Sequence, residues 1–114
     1  RRPTADYVRS VSSLFRRARK PGYAAERYLQ FFKRTLSQHA ELDPYLTDER
    51  FVQSLQERGR FPFNPQEMSN AIYTLRQLAG TGEGAPGSER MEMDTLAAIR
   101  EAERVRRVAL GLRD

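Results

Sequence analysis

Apolar residues recur along this chain at helical spacing, and no stretch alternates with the period of two that a half-buried strand requires. At about 100° per residue, Tyr7, Val11, Leu14 and Ala18 form one stripe flanked by Val8 and Phe15, with Arg9, Arg16 and Lys20 opposite. Thr4 is placed to cap and Asp6 lies in the first turn, so the first predicted helix runs from about Thr4 to Lys20. Pro21-Gly22 then breaks the pattern. A second helix, from about Tyr23 to Ala40, carries Ala25, Tyr28, Leu29, Phe32, Leu36 and His39 on its core face. Asp43-Pro44 marks a turn, and Thr47 opens a short third helix with Phe51, Val52 and Leu55 that ends at Gly59. Phe61 and Phe63, in the extended segment that follows, are expected to plug a gap between helices.

Asn64-Pro65-Gln66-Glu67 is the clearest local signal. Asn64 can cap, Pro65 suits the first helical position, and Glu67 is expected to complete a capping box. The fourth helix then buries Met68, Ala71, Ile72, Leu75, Leu78 and Ala79, before a flexible Gly-rich linker at about 80–88. A last helix runs from about Glu89 or Asp94 to Leu112, with Ala98, Ala102, Val105, Ala109 and Leu112 at coiled-coil-like spacing and Leu96 and Ile99 widening the arc. The fold class is therefore all-α: a compact bundle of about five helices in a single domain over 1–114.

Charge adds a direction to this picture. Residues 1–20 hold seven basic groups against one acid (+6), while the other 94 residues hold 13 against 14 (−1), which together give the formal +5. The chain does not open on Met, so it reads as a segment of a longer polypeptide whose basic edge lies just inside a membrane. No apolar run approaches the roughly 18–20 residues needed to span a bilayer. Cysteine is absent, which removes disulfide frameworks, thiol nucleophiles and cysteine-zinc sites. Arginine outnumbers lysine 18 to 2 across the whole chain, so the excess is not by itself a sign of phosphate binding.

The opening Arg1-Arg2-x-Thr4-x-Asp6-Tyr7-Val8, followed by Leu14-Phe15-Arg16-Arg17-Ala18, resembles the cytosolic C-terminal tail of a bacterial membrane-protein family of unknown function. Proteins of that family carry a glutamine-amidotransferase-like domain between two transmembrane segments. Thr47-Asp48-Glu49 opening a short helix, and Leu96-x-x-Ile99 followed by arginines, fit the same tail more loosely. The resemblance covers about half the chain. It implies no catalytic residue here, because the amidotransferase-like portion would lie upstream. The glycine linker, Phe31-Phe32 and Phe61-Pro62-Phe63 have no counterpart in it.

Candidate chemistry is sparse. His39 is the only histidine and has no partners at metal-ligand spacing, which favours a structural role at a helix C-terminus. Gly80–Gly87 lacks the preceding strand and the Lys of a phosphate loop. Ser12, Ser13, Ser37 and Ser69 stand in no nucleophile motif, and Glu101 and Glu103 among Arg100, Arg104, Arg106 and Arg107 read as surface ion pairs. No enzyme activity and no cofactor is expected.

A helix-turn-helix drawn through Thr47–Arg58 and Pro65–Ala79 offers only Arg76 as a base-reading cation, so DNA recognition is the lesser reading. The expected function is a cytosolic, membrane-proximal helical module for protein interaction or scaffolding, on the cytoplasmic side of the bacterial inner membrane. Arg1, Arg2, Arg9, Arg16, Arg17 and Lys20 are the candidates for contact with inner-leaflet anionic lipid. Phe31, Tyr73, Ala102, Val105 and Ala109 are the candidate interface for a protein partner or a second copy, the alternative being that the first helices cover the Ala98–Leu112 arc in cis. The alternative is a soluble helical nucleic-acid-binding domain that uses the basic first helix on phosphates.

Overall fold

Among the described residues every regular element is an α-helix. The computed structural model describes residues 21–81 and 89–112 of the chain. Within them lie α1 (Pro21–Ala40), α2 (Asp48–Arg58), α3 (Pro65–Thr81) and α4 (Glu89–Ala109). Four helices of the expected five are thus described; the helix expected over Thr4–Lys20 and most of the glycine linker lie outside these residues. Pro21 and Gly22, read above as a break, belong to α1.

Three long helices make the body. α1 packs on both α3 and α4, α3 packs on α4, and the short α2 lies chiefly against α3. The core is the set of residues that helical periodicity singled out: Tyr28, Phe32 and Leu36 from α1, Phe51 and Leu55 from α2, Met68, Ile72 and Leu75 from α3, and Ile99, Ala102 and Val105 from α4. Small residues on α4 let its backbone approach α1 and α3 closely. Ala102, Val105 and Ala109 are 0%, 2% and 1% exposed, and this corrects their expected place in an outer interface. The arc that resembled a coiled-coil seam is covered within the chain, because two neighbouring helices close over it.

Helix ends follow local chemistry. The Thr47 hydroxyl accepts from the Arg50 N–H at 3.3 Å, and Asn64 Oδ1 accepts from the N–H groups of Gln66 (2.8 Å) and Glu67 (3.2 Å). The expected capping box is half built: the Glu67 side chain turns to Arg104 on α4, an ion pair across helices, instead of back to its own cap. At the far end of α4 the Leu112 N–H bonds the Arg107 carbonyl and that of Gly111 bonds the Val108 carbonyl. Gly111 takes φ +74°, which completes a Schellman motif. The Phe61 ring lies where a Cβ on Gly111 would come within 2.6 Å, so that position is restricted twice over.

The two phenylalanines after α2 divide the role expected of both. Phe63 packs against the core, whereas Phe61 remains 42% exposed, lying on Gly111 and stacked with the His39 ring at 6.2 Å.

α1 ends in the same motif without a glycine. The Leu42 N–H reaches the Ser37 carbonyl at 2.9 Å, and Glu41 adopts φ +56°. A left-handed conformation costs a side-chain-bearing residue roughly 1–2 kcal/mol, only part of which glycine's extra unfolded-state freedom cancels. Glu41→Gly is therefore expected to raise unfolding stability by about 0.5–1 kcal/mol. A urea titration checks this, and a midpoint at or below that of the parent chain contradicts it.

Candidate interaction surfaces

Most of the acids that reach the helix interfaces are tied to a cation of the same bundle. Asp48, at the start of α2, holds Lys33 of α1 at 2.8 Å and takes a two-pronged contact from Arg76 of α3, 2.7 Å to Oδ1 and 3.1 Å to Oδ2. Partial burial works to raise its pKa, but the hydrogen bonds from Arg76 and Lys33 outweigh that and hold the carboxyl below its ordinary value. Arg104 bridges Glu101 on its own helix (2.6 Å) and Glu67 on α3 (3.1 Å). The Arg104 hydrogen bond accordingly lowers the Glu101 pKa. Because this second cluster is open to water, it contributes only the few tenths of a kcal/mol usual for surface pairs.

One cluster departs from the surface pairing expected on α4. Glu103 and Arg106 are 3% and 7% exposed and meet in a two-pronged contact, Nε to Oε1 at 2.9 Å and Nη2 to Oε2 at 2.8 Å. The buried Tyr28 hydroxyl donates to Glu103 at 2.5 Å, and Arg106 Nη1 donates to the Thr35 hydroxyl at 3.1 Å. The guanidinium lies 4.7 Å over the Phe31 ring. Burial opposes the charged arginine, yet the Glu103 hydrogen bond outweighs it and raises the Arg106 pKa. Phe31 is thus half-buried beneath Arg106 instead of presenting a bare ring to a partner. Helical spacing separates Glu103 from Glu101, since Glu103 and Arg106 stand at i+4 and i+7 from the buried Ile99 and Glu101 faces the other way, but the partner that makes the burial of Glu103 tolerable, Tyr28, is 75 residues away.

Tyr73 stands where an interaction residue should. It is 66% exposed and lines an open groove of about 400 Å³ between α2 and α3, whose floor is Val52 and Ile72 and whose rim includes Asp48, Glu49, Ser69, Asn70 and Arg76. The Arg76 guanidinium is engaged by Asp48, which weighs against its use as a base-reading group.

His39 sits at the C-terminal end of α1 with Nε2 buried and no hydrogen-bond partner among the described residues. No group of three His, Cys, Asp or Glu that could hold a metal occurs among the described residues. No helix among them is long and apolar enough to cross a membrane. Arg1, Arg2, Arg9, Arg16, Arg17 and Lys20 lie outside the described residues. Comparison with known proteins finds no family model, no curated protein and no solved structure that matches the chain.

Proposed function

We propose that this chain is a non-catalytic, membrane-proximal helical module, held at the cytoplasmic face of a bacterial inner membrane as part of a longer membrane protein. In that position it serves protein interaction or scaffolding. The observation that carries the reading is the separation of charge. The bundle's interface acids are neutralised internally, at Asp48, Glu67, Glu101 and Glu103, while the seven cations of residues 1–20 have a single acid in that segment, Asp6, to offset them, which leaves +6. A surplus of that kind is attracted to anionic lipid by about 1 kcal/mol for each cation near the surface, within a Debye length of about 8–10 Å. Tyr73, above its groove, is the residue best placed to meet a protein partner or a second copy.

Co-sedimentation with vesicles tests the lipid half of this reading. The chain is expected to bind vesicles containing phosphatidylserine and to leave pure phosphatidylcholine vesicles in solution. Replacing Arg1, Arg2, Arg9, Arg16, Arg17 and Lys20 by Gln should remove most of that binding. Equal binding to both vesicles, or to neither, overturns the placement. Retention on single-stranded or duplex nucleic acid that is lost on the same replacement would instead establish the nucleic-acid reading.

A further inference from the structure

The outer side of α3 is poor in free charge. Between Gln66 and Gln77 its exposed ionised residues are Glu67 and Arg76, and both are held within the bundle, Glu67 by Arg104 and Arg76 by Asp48. The rest of that side, Ser69, Asn70, Tyr73 and Thr74 included, is neutral. α2, by contrast, exposes Glu49, Arg50, Glu57 and Arg58. Depletion of charge around an exposed aromatic residue is what distinguishes the centre of a protein interface from ordinary surface.

Tyr73 lines the groove between α2 and α3 and, at 66% exposure, also projects beside it. The groove has an apolar floor, Val52 and Ile72, and a volume of about 400 Å³, ample for one aromatic side chain. A projecting ring and a recess therefore stand side by side on one face. When both lie on the same face, a two-fold axis lets each ring enter the other copy's recess, and the contact closes on itself.

The two walls of the groove are complementary in their polar groups. The α2 wall offers an acceptor, Glu49, which has no hydrogen bond or ion pair among the described residues. The α3 wall offers donors: the Tyr73 hydroxyl, equally unengaged among those residues, and Arg76 Nη1, which takes no part in the two-pronged contact to Asp48. A two-fold axis across the groove sets each α3 wall against the α2 wall of the other copy, so donors meet the acceptor twice.

We propose that this groove is the face on which two copies of the chain pair, each seating Tyr73 in the other's groove with Glu49 facing the other's Arg76 and Tyr73. The proposal rests on the protein-interaction reading of Tyr73 above and names the partner. A second copy is favoured over an unrelated chain because this face supplies both members of each complementary set. The interface is small, so association in free solution is weak, and tethering both copies to one membrane raises their effective concentration.

Sedimentation equilibrium of the full chain tests the pairing. The parent is expected to pass from monomer toward dimer between about 10 μM and 1 mM, as suits a small transient interface. Tyr73→Ala should weaken the dimer about tenfold or more, the usual effect of truncating a central interface aromatic. Glu49→Arg should weaken it similarly, because it sets like charge against the other copy's Arg76. Tyr45→Ala is the control: Tyr45 is 91% exposed before α2 and away from the groove, so the dimer should stay within about twofold of the parent. All three side chains are exposed, and the variants should melt with the parent by circular dichroism. A parent that stays monomeric throughout overturns the pairing, while the membrane-proximal reading stands or falls separately on the vesicle assay. A dimer that survives both groove variants, or that Tyr45→Ala weakens equally, also overturns it, because the copies then meet elsewhere.

Discussion

Glu103→Gln is expected to lower the free energy of unfolding by about 3–5 kcal/mol, a large share of the roughly 5–15 kcal/mol that typically holds a domain together. The amide keeps the size of the carboxylate but loses its charge, and its NH₂ group faces donors on every side. In the parent chain both Glu103 oxygens accept, one from Arg106 Nε and the Tyr28 hydroxyl and the other from Arg106 Nη2. Whichever way the amide turns, it sets a donor against a donor. Arg106 cannot shed its proton, so it would remain a cation in the interior without a carboxylate, held by the one amide oxygen, the Thr35 hydroxyl and the Phe31 ring.

Removing the whole cluster should cost less than breaking it. Glu103→Leu with Arg106→Leu and Tyr28→Phe leaves no unsatisfied partner among the three, and apolar replacement of buried pairs is often close to neutral. Urea unfolding reads both, through a shift of the midpoint at constant slope. A loss below about 1 kcal/mol for Glu103→Gln would mean that the pair behaves as a surface ion pair and is not buried in solution.

Phe51→Ala is the second large effect, about 3–5 kcal/mol, and its location matters as much as its size. α2 has eleven residues and buries only Phe51, Val52 and Leu55. An isolated helix of that length is marginal in water, so α2 exists because those side chains dock. Phe51 is fully buried, with the Lys33 ammonium 5.2 Å above its ring. Truncating it leaves a cavity beneath α2 and loosens the Lys33–Asp48–Arg76 cluster at its start. Hydrogen exchange of the variant should therefore show α2 amides losing protection well before those of α1, α3 and α4. Uniform loss across all four helices would mean that α2 is integral to the core and not an attached element. Because α2 forms one wall of the groove beside Tyr73, any partner that docks there should bind this variant more weakly than the parent.

Where the helices lie was legible in the chain because capping and periodicity are local. Asn64 and Thr47 cap as their types and positions indicated, and Met68, Ile72 and Leu75 recur at the spacing that places them on one buried face. Partners across helices were not legible. Glu67 has the right spacing to return to its cap, yet it pairs with Arg104, 37 residues on, because α4 places a guanidinium 3.1 Å from its carboxylate. Phe61 and Phe63 look alike in sequence, and only the approach of α4's last turn leaves one ring on the surface and the other in the core.

The candidate surface divides the same way. Tyr73 could be read as exposed because it falls about 140° from the Met68 stripe on its own helix, a matter of helical geometry alone. For Ala102, Val105 and Ala109 the sequence offered both cover in cis and a partner interface, since an apolar arc of small residues suits a partner helix of either origin. The sequence by itself determined the helical class, the helix caps, the apolar stripes and the concentration of positive charge in residues 1–20, all of which depend on neighbours within a few positions. Tertiary structure alone decided which partners the buried carboxylate would find and which arc would be covered in cis. Those outcomes depend on pairs such as Tyr28 and Glu103, whose proximity is created only when the helices pack.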